Sequence, residues 1–248
     1  MNPFYILDPG VSSQAARRMC ALAVMTKAPQ AGQVKTRLVP PLTPGEAAEL
    51  NKYFLRDTAV SISSAASDKN ATGIAVYTPL GCEEAYIGIL SRDFSLLPQR
   101  GENFGERLYF AADDLFKCGF QSVCLINSDS PTVPAASFSQ AVIELAKPGD
   151  RVVLGPSDDG GYYLIGFKKP HRELFERIDW STERVLDQTI HRAHEIGLEM
   201  KLLQLGYDVD DGASLRRLCN ELLADTASAD IAPHTREFLR KLTAEKTL

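Results

Sequence analysis

The sequence has few of the features that mark membrane, secreted or nucleic-acid-binding proteins. No apolar run approaches the roughly 20 residues of a membrane-spanning helix, and residues 1–20 lack the apolar core of a secretory signal. The five cysteines form no C-x-x-C pair, which argues against a disulfide framework or zinc site and favours a reducing cytoplasm. With a formal net charge of −5, general nucleic-acid binding is not expected.

Two common phosphate-binding signatures are also missing. A P-loop requires G-x-x-x-x-G-K-[ST], but Lys35-Thr36 follows Gln33-Val34 without those glycines. The dinucleotide fingerprint G-x-G-x-x-G is absent as well. A nucleotide site in this chain would therefore need a different loop.

The 248 residues, 44% of them hydrophobic, suit one large α/β domain. Because strands and helices alternate, we predict a mainly parallel sheet with helices on both faces. We assign residues 21–248 to one domain and residues 1–20 to an extension before its first strand. Strands are predicted at 21–26, 73–77, 94–98, 122–127, 151–155, 162–167 and 199–205, and helices at about 44–66, 104–117, 137–146, 182–196, 212–223 and 233–245.

Acidic residues follow three of the predicted strands. Asp129 comes directly after the apolar run 123–126, and open α/β sheets bind ligands at the carboxyl ends of their strands. Pro131 then ends that strand. Asp129 is therefore a candidate ligand of a divalent cation, with Mg²⁺ the natural ion for carboxylates, phosphates and waters.

The other two acidic segments leave alternatives open. Asp158-Asp159-Gly160-Gly161 has the pattern of a tight hairpin turn, yet either aspartate is a candidate for holding an acceptor or acting as a base. Asp208 and Asp210 share one face if their segment is extended, which makes either one a candidate metal ligand.

The first predicted strand leads into a basic loop. Residues 27–38 carry Lys27, Lys35 and Arg37 together with Gly32 and the hydroxyl of Thr36. The first βα loop is where nucleotide phosphates usually sit in doubly wound sheets, so these residues are candidate phosphate ligands; a solvated basic loop is the alternative. After the third strand, the polar segment from Gln99 to Arg107, which includes Gly105, is a candidate contact for base or ribose; Arg107 is a candidate phosphate contact, with a surface salt bridge to Glu102 or Glu106 as the alternative.

In combination these motifs resemble a known family. K-A-P-x-x-G-x-V-K-T-R-L, S-D-S-P, G-P-x-D-D-G-G-Y-Y-L-I-G, W-S-T and Y-D-V-D are similar to the DUF2064 or "transferase 1" family, provisionally named glycosyltransferases of the GT-A fold. The resemblance runs from about residue 21 to residue 218. It extends to nucleotidyltransferases that make phospholactate-guanosine compounds and molybdopterin nucleotides.

The resemblance implies a nucleotide-diphospho-sugar transferase fold, a Rossmann-like sheet, and roles for several residues. The first loop would bind the donor phosphates, Asp129 would bind the metal, and Asp208 or Asp210 would supply a second ligand. Many glycosyltransferases of this fold carry D-x-D, whereas this chain has Asn127-Ser128-Asp129.

We therefore expect a cytoplasmic transferase that depends on Mg²⁺ or Mn²⁺ and takes a small-molecule nucleotide donor. Nucleotidyl transfer from an NTP to a small phosphorylated acceptor is favoured slightly, with Lys27, Lys35 and Arg37 offsetting the developing charge. The alternatives are glycosyl transfer from an NDP-sugar and a non-catalytic nucleotide-binding regulator. The sequence specifies no oligomeric state.

Overall fold

The computed structural model describes residues 4–67 and 70–245. Its centre is an eight-stranded sheet in the order β1-β4-β3-β2-β5-β7-β6-β8. The pairs are parallel except that β7 runs antiparallel to both β5 and β6. The strands are Tyr5–Ile6 (β1), Cys20–Lys27 (β2), Ala71–Thr78 (β3), Ser95–Pro98 (β4), Ser122–Ile126 (β5), Arg151–Pro156 (β6), Tyr162–Phe167 (β7) and Glu199–Leu202 (β8).

Six α-helices accompany the sheet in the described ranges. They are Pro44–Ser67 (α1), Phe104–Lys117 (α2), Ala135–Ala146 (α3), Val185–Glu195 (α4), Gly212–Leu223 (α5) and Pro233–Glu245 (α6). The predicted α/β fold with a mainly parallel sheet is confirmed. No helix in the described part of the chain is long and apolar enough to cross a membrane.

The helix ends follow local capping chemistry. Thr43 and Glu46 form the predicted capping box of α1: Thr43 N donates to Glu46 Oε2 at 2.7 Å, and Glu46 N donates to Thr43 Oγ1 at 3.2 Å. Asn103 accepts from Glu106 N at the start of α2, and Asp211 caps α5. Each cap fixes the direction in which a helix leaves the edge of the sheet formed by the carboxyl ends of the strands.

Both faces of the sheet are buried, as the alternation along β2 shows. Leu22 and Val24 pack in the cluster that contains α1 and α3, whereas Ala21 and Ala23 pack in the cluster that contains α2 and α4. Because successive side chains of a strand point to opposite faces, a strand covered on both sides is apolar throughout. A third cluster joins the loop after β2 to α1, α5 and α6.

The strand order positions the candidate site. β2 lies between β3 and β5, so the chain runs to one side after β2 and returns on the other side before β5. Such a reversal leaves a crevice outside the carboxyl ends of the two central strands, where ligands bind in open α/β sheets. The loops after β2 and β5 both border this crevice.

The amino-terminal segment adds to the far edge of the sheet. Tyr5 and Ile6 pair with Ser95 and Leu96 of β4, and residues 15–18 form a 3₁₀ turn before β2. The division into an extension over 1–20 and one domain over 21–248 stays a prediction. Residues 1–3, 68–69 and 246–248 of those two ranges lie outside the described residues.

Candidate functional site

Two cavities meet at the carboxyl ends of β2 and β5. Their volumes are 360 and 500 Å³, and they share the side chains of Met25, Arg37, Phe104, Asp129 and Asp210. Polar and charged groups from four loops converge where they join. We refer to them as the first cavity, beside the basic loop, and the second cavity, beside the β6–β7 hairpin.

Lys35 is the most buried cation of the site. Its side chain is only 5% exposed, and its Nζ lies 2.6 Å from Asp129 Oδ1 and 3.0 Å from Asp210 Oδ1. It also donates to the carbonyl of Val209 at 2.8 Å. Burial lowers the pKa of Lys35, but the attraction and hydrogen bonds of the two carboxylates outweigh it and raise the pKa above its usual value.

The first cavity is positively charged. Four cations line it, Lys27, Lys35, Arg37 and Arg107, against the carboxylates Asp129 and Asp210. The other cations are more accessible than Lys35: the side chain of Arg37 is 70% exposed and lies 3.8 Å from Asp210, and Lys27 contacts Gln33 at 3.4 Å. A cavity of this size and sign suits a phosphorylated ligand.

Asp208 is held in a fixed orientation by neutral donors. Asn127 Nδ2 reaches Asp208 Oδ1 at 2.9 Å and Oδ2 at 3.0 Å, Ser157 donates to Oδ1 at 3.2 Å, and Ser130 donates as well. Burial, with the negative charge of Asp129 and Asp159, raises the pKa of Asp208 to about 6, against the lowering effect of its hydrogen bonds.

Asn127 links the two central carboxylates, a role the sequence did not suggest. Its Nδ2 donates to Asp208, while its Oδ1 accepts from the backbone N–H of Asp129 at 3.2 Å. Val209 N donates to the carbonyl of Asp129 at 2.9 Å, so the loops after β5 and β8 are tied together. The only sign of this role in the sequence was the position of Asn127, two residues before Asp129. There, an amide supplies donors that a carboxylate lacks.

The second cavity is acidic and partly aromatic. Five carboxylates line it, Asp129, Asp159, Glu183, Asp208 and Asp210, and Arg37 is the one cation among the lining residues described. Phe104 and Trp180 form an edge-to-face pair with ring centroids 5.2 Å apart on one wall. This combination suits a ligand with hydroxyl groups and an apolar face.

The structure brings most of the predicted residues to this edge. Lys27, Lys35, Thr36, Arg37, Gln99, Asp129 and Asp210 line the first cavity, and Asp159 and Asp208 line the second. The amide of Gln99 is occupied, however, because its Nε2 donates to the carbonyls of Thr26 and Val76 at 3.1 and 2.7 Å. Gln99 therefore fastens the end of β4 to β3 and to β2 beyond it.

Three predicted residues do not line either cavity. Asp158 turns away from the second cavity and pairs with Arg217. Gly105 lies under Trp180, where an added Cβ would meet the indole Nε1 at 2.6 Å. Gly32 adopts φ +73° at the turn of the basic loop and shapes its path.

Within residues 4–67 and 70–245, no group of three or more His, Cys, Asp and Glu side chains is arranged to hold a metal ion. Lys35 accounts for part of this, because its ammonium lies between Asp129 and Asp210. Asp208, by contrast, is held by the neutral donors of Asn127, Ser130 and Ser157 and not by a cation.

Part of this site lies in a segment that matches a family model. The family is DUF2064, described as "Uncharacterized protein conserved in bacteria", and the match covers residues 61–182. The resemblance to DUF2064 noted from the motifs is thereby confirmed. The DUF2064 match includes Asp129, Asp159 and Trp180, whereas the basic loop and Asp208 lie outside it.

Solved structures show the same architecture. A protein from Desulfovibrio desulfuricans G20, described provisionally as a nucleotide-diphospho-sugar transferase, has a TM-score of 0.80 at 28% identity, over 92% of this chain and 96% of that chain. A comparison with curated proteins gave no match.

Two further structures are similar in fold alone. CMP:2-keto-3-deoxy-manno-octonic acid synthetase, complexed with CTP, has a TM-score of 0.52 at 10% identity, over 81% of this chain and 96% of that chain. The 4-diphosphocytidyl-2C-methyl-D-erythritol synthase from Anaerococcus prevotii DSM 20548 has a TM-score of 0.52 at 12% identity, over 86% of this chain and 100% of that chain.

Proposed function

We propose that this protein is a transferase that takes a sugar from a nucleoside-diphosphate donor and passes it to a hydroxyl group of a small acceptor. The observation that carries the proposal is the pair of cavities of opposite charge that join at Asp129. Phosphates are attracted to the first cavity and repelled by the second, so a donor would be oriented with its transferable group at the junction.

The donor phosphates would bind to the basic loop. Lys27 and Arg37 are exposed enough to meet a diphosphate, and Arg107 lines the same cavity. When the sugar leaves, negative charge grows on the departing diphosphate. Fixed cations beside that charge stabilise the transition state more than the ground state.

A divalent cation fits this site as a partner of the donor. Mg²⁺ usually retains several waters and takes one or two carboxylates together with substrate phosphates. Asp129, whose side chain is 35% exposed, and Asp208 form such a pair. A bound Mg²⁺ or Mn²⁺ would act as a Lewis acid that neutralises charge on the leaving phosphate.

The acceptor is inferred from the second cavity. Carboxylates accept hydrogen bonds from hydroxyl groups, and an aromatic wall packs against the apolar face of a sugar or polyol. Asp159 lines the second cavity and is engaged by neither Lys35 nor Asn127, so it is the candidate base for the acceptor hydroxyl. The five carboxylates of the second cavity would repel a phosphorylated acceptor, and among the lining residues described only Arg37 could attract it. A neutral acceptor is therefore favoured.

Nucleotidyl transfer from an NTP is the second candidate. The observation in its favour is the number of cations in the first cavity, since four positive side chains match the charge of a triphosphate as well as that of a diphosphate. The two reactions release different products: glycosyl transfer releases an NDP, whereas nucleotidyl transfer releases pyrophosphate.

The test is to incubate the protein with Mg²⁺ and each of UDP-, GDP-, ADP- and dTDP-glucose, with and without a mixture of neutral sugars and polyols, and to quantify NDP release. In parallel, NTPs are assayed for pyrophosphate. We expect NDP release from one donor, reduced at least about 100-fold in D129A, given the usual weight of electrostatic stabilisation.

The matched control is D158A, which removes the neighbouring carboxylate of the hairpin that pairs with Arg217 outside both cavities. This variant should keep activity within about threefold of the native protein. Release of pyrophosphate but no NDP would replace the first candidate with the second. Tight nucleotide binding with neither product would favour a non-catalytic regulator.

A further inference from the structure

The Lys35 ammonium contacts Asp129, the carboxylate that the proposed function assigns to the metal. Its Nζ lies 2.6 Å from Asp129 Oδ1, and its other two contacts are Asp210 Oδ1 at 3.0 Å and the carbonyl of Val209 at 2.8 Å. An ammonium has three donors, and all three are used here. The contacts bring one residue of the first βα loop against two loops more than 90 positions away.

The position of Lys35 is built into the fold. Its backbone is in the left-handed region at φ +49°, which L-residues rarely adopt, and its side chain lies over the Phe54 ring with Nζ 5.5 Å from the centroid. By contrast, Arg37 of the same loop is 70% exposed. The loop therefore holds one cation inward on the carboxylates and leaves another outward for a ligand.

A divalent cation bound to the Asp129 carboxylate would compete with the Lys35 ammonium for the negative charge of that carboxylate. Two cations that share one carboxylate oxygen would also repel each other strongly in a partly buried site. A bound diphosphate changes this balance, because its oxygens offer the ammonium a new anionic partner and the metal further ligands.

We propose that Lys35 keeps the divalent cation off Asp129 until the phosphates of a donor draw the ammonium away, so that metal and donor bind together. This inference rests on the donor and metal sites of the proposed function. Metal alone should bind weakly, donor should raise the affinity for metal, and by linkage metal should raise the affinity for donor by the same factor. Lys35 is thus a positioning residue for the metal in addition to a phosphate contact.

The test measures Mn²⁺ binding directly, from the electron paramagnetic resonance signal of free Mn²⁺. The native chain is titrated alone and with UDP, GDP, ADP or dTDP, after correction for Mn²⁺ bound by the nucleotide itself. K35M removes the ammonium but keeps a side chain of similar length, K35R keeps the positive charge, and R37M removes the exposed cation of the same loop.

We expect K35M to bind Mn²⁺ without nucleotide at least about tenfold more tightly than the native chain, a factor within the usual range of coupling between sites. K35R and R37M should bind Mn²⁺ alone as weakly as the native chain. The nucleotide that binds should tighten Mn²⁺ binding to the native chain by a similar factor, and should do so much less in K35M. A protein in which Lys35 has only a structural role would show no gain in Mn²⁺ affinity in K35M.

The proposal is overturned if K35M binds Mn²⁺ no more tightly than the native chain, or if the native chain binds Mn²⁺ equally well with and without every diphosphate. Should circular dichroism show that K35M is unfolded, K35Q, which also removes the ammonium, takes its place in the comparison. Failure of the proposed function can be told apart from failure of this inference: NDP release would be absent, while Mn²⁺ binding would still depend on Lys35 and on nucleotide as described.

Discussion

The turn between β6 and β7 allows a sharp test of the geometry beside the second cavity. Gly160 has φ +86°, and a Cβ added there would lie 2.1 Å from the carbonyl oxygen of Glu183 and 2.6 Å from its Cα. Both obstacles are backbone atoms, and Leu186 N donates to the Gly160 carbonyl at 2.8 Å, so the two segments are held together. Gly160→Ala must therefore displace the segment that carries Glu183.

The size of the effect follows from two separate costs. An L-residue in the left-handed region costs roughly 1–2 kcal/mol, and forcing extra atoms into a packed contact costs typically about 1–3 kcal/mol more. We therefore expect G160A to lose about 3 kcal/mol of the free energy of unfolding. Gly197→Ala is the matched control, because Gly197 has φ +67° and nothing within 4 Å of its added Cβ, so it should lose only about 1 kcal/mol.

The assay is urea denaturation of the native chain, G160A and G197A, followed by the fluorescence of Trp180, the one tryptophan of the chain. Equal losses in G160A and G197A would refute the close contact between Gly160 and Glu183. A second readout is donor consumption. G160A should be impaired because the wall of the second cavity moves, whereas G197A, at the far end of α4, should keep the native rate.

Three further predictions concern other groups. Asn127→Asp places a carboxylate about 3 Å from Asp208 and should cost about 3 kcal/mol at pH 7, measured by urea denaturation; a loss below about 1 kcal/mol would contradict the hydrogen bonds described. Asp57→Ala removes the acceptor of two backbone N–H groups in the first turn of α6 and should cost about 2 kcal/mol in the same assay, whereas an exposed Asp230→Ala should cost almost nothing. For Asp150, burial raises the pKa, but contacts with His171 and Lys169 outweigh it and lower the pKa below its usual value. Its contribution to stability is present above the unfolded pKa and lost as pH falls through the lower folded value, so the penalty of Asp150→Asn should be larger at pH 6 than at pH 3, and an equal penalty would contradict this.

Much of the fold could be predicted from local patterns. The helices 104–117, 212–223 and 233–245 and the strand 162–167 lie where the sequence placed them. Caps, glycines and apolar periodicity act over a few residues, so they can be recognised without knowledge of the whole chain.

Element ends that depend on distant contacts were predicted less well. Helix α4 begins at Val185 rather than Thr182, because Thr182 Oγ1 donates to the Asp179 carbonyl in a turn and Ser181 has φ +64°. Strand β8 ends at Leu202 rather than Leu205. Past that point the register against β6 shifts by one residue, because Leu154 lies opposite Leu202 whereas Ser157 lies opposite Gly206, so continuous pairing ends.

Within the site, residue types were predicted and partners were not. The basic loop gave no sign that Lys35 is buried while Arg37 is exposed, since the pairing of Lys35 with Asp210 joins positions 175 residues apart. Asp158 and Asp159 were equivalent in sequence, and only the position of Arg217 on α5 separates them. The sequence drew attention to Asn127 because it stands in place of the first acid of D-x-D. Its hydrogen bonds to Asp208 could not be predicted, because they depend on where the loop after β8 lies.

The central claim is that Asp129 stands at the junction of a donor cavity and an acceptor cavity. Its most direct test is thermal stabilisation by each NTP and by UDP-, GDP-, ADP- and dTDP-sugars, with and without Mg²⁺, for the native chain, D129A and the control D158A. We predict a Mg²⁺-dependent rise in melting temperature with one nucleotide class, kept in D158A and lost in D129A. The absence of any shift with every nucleotide, or a shift that D129A retains in full, would contradict the claim.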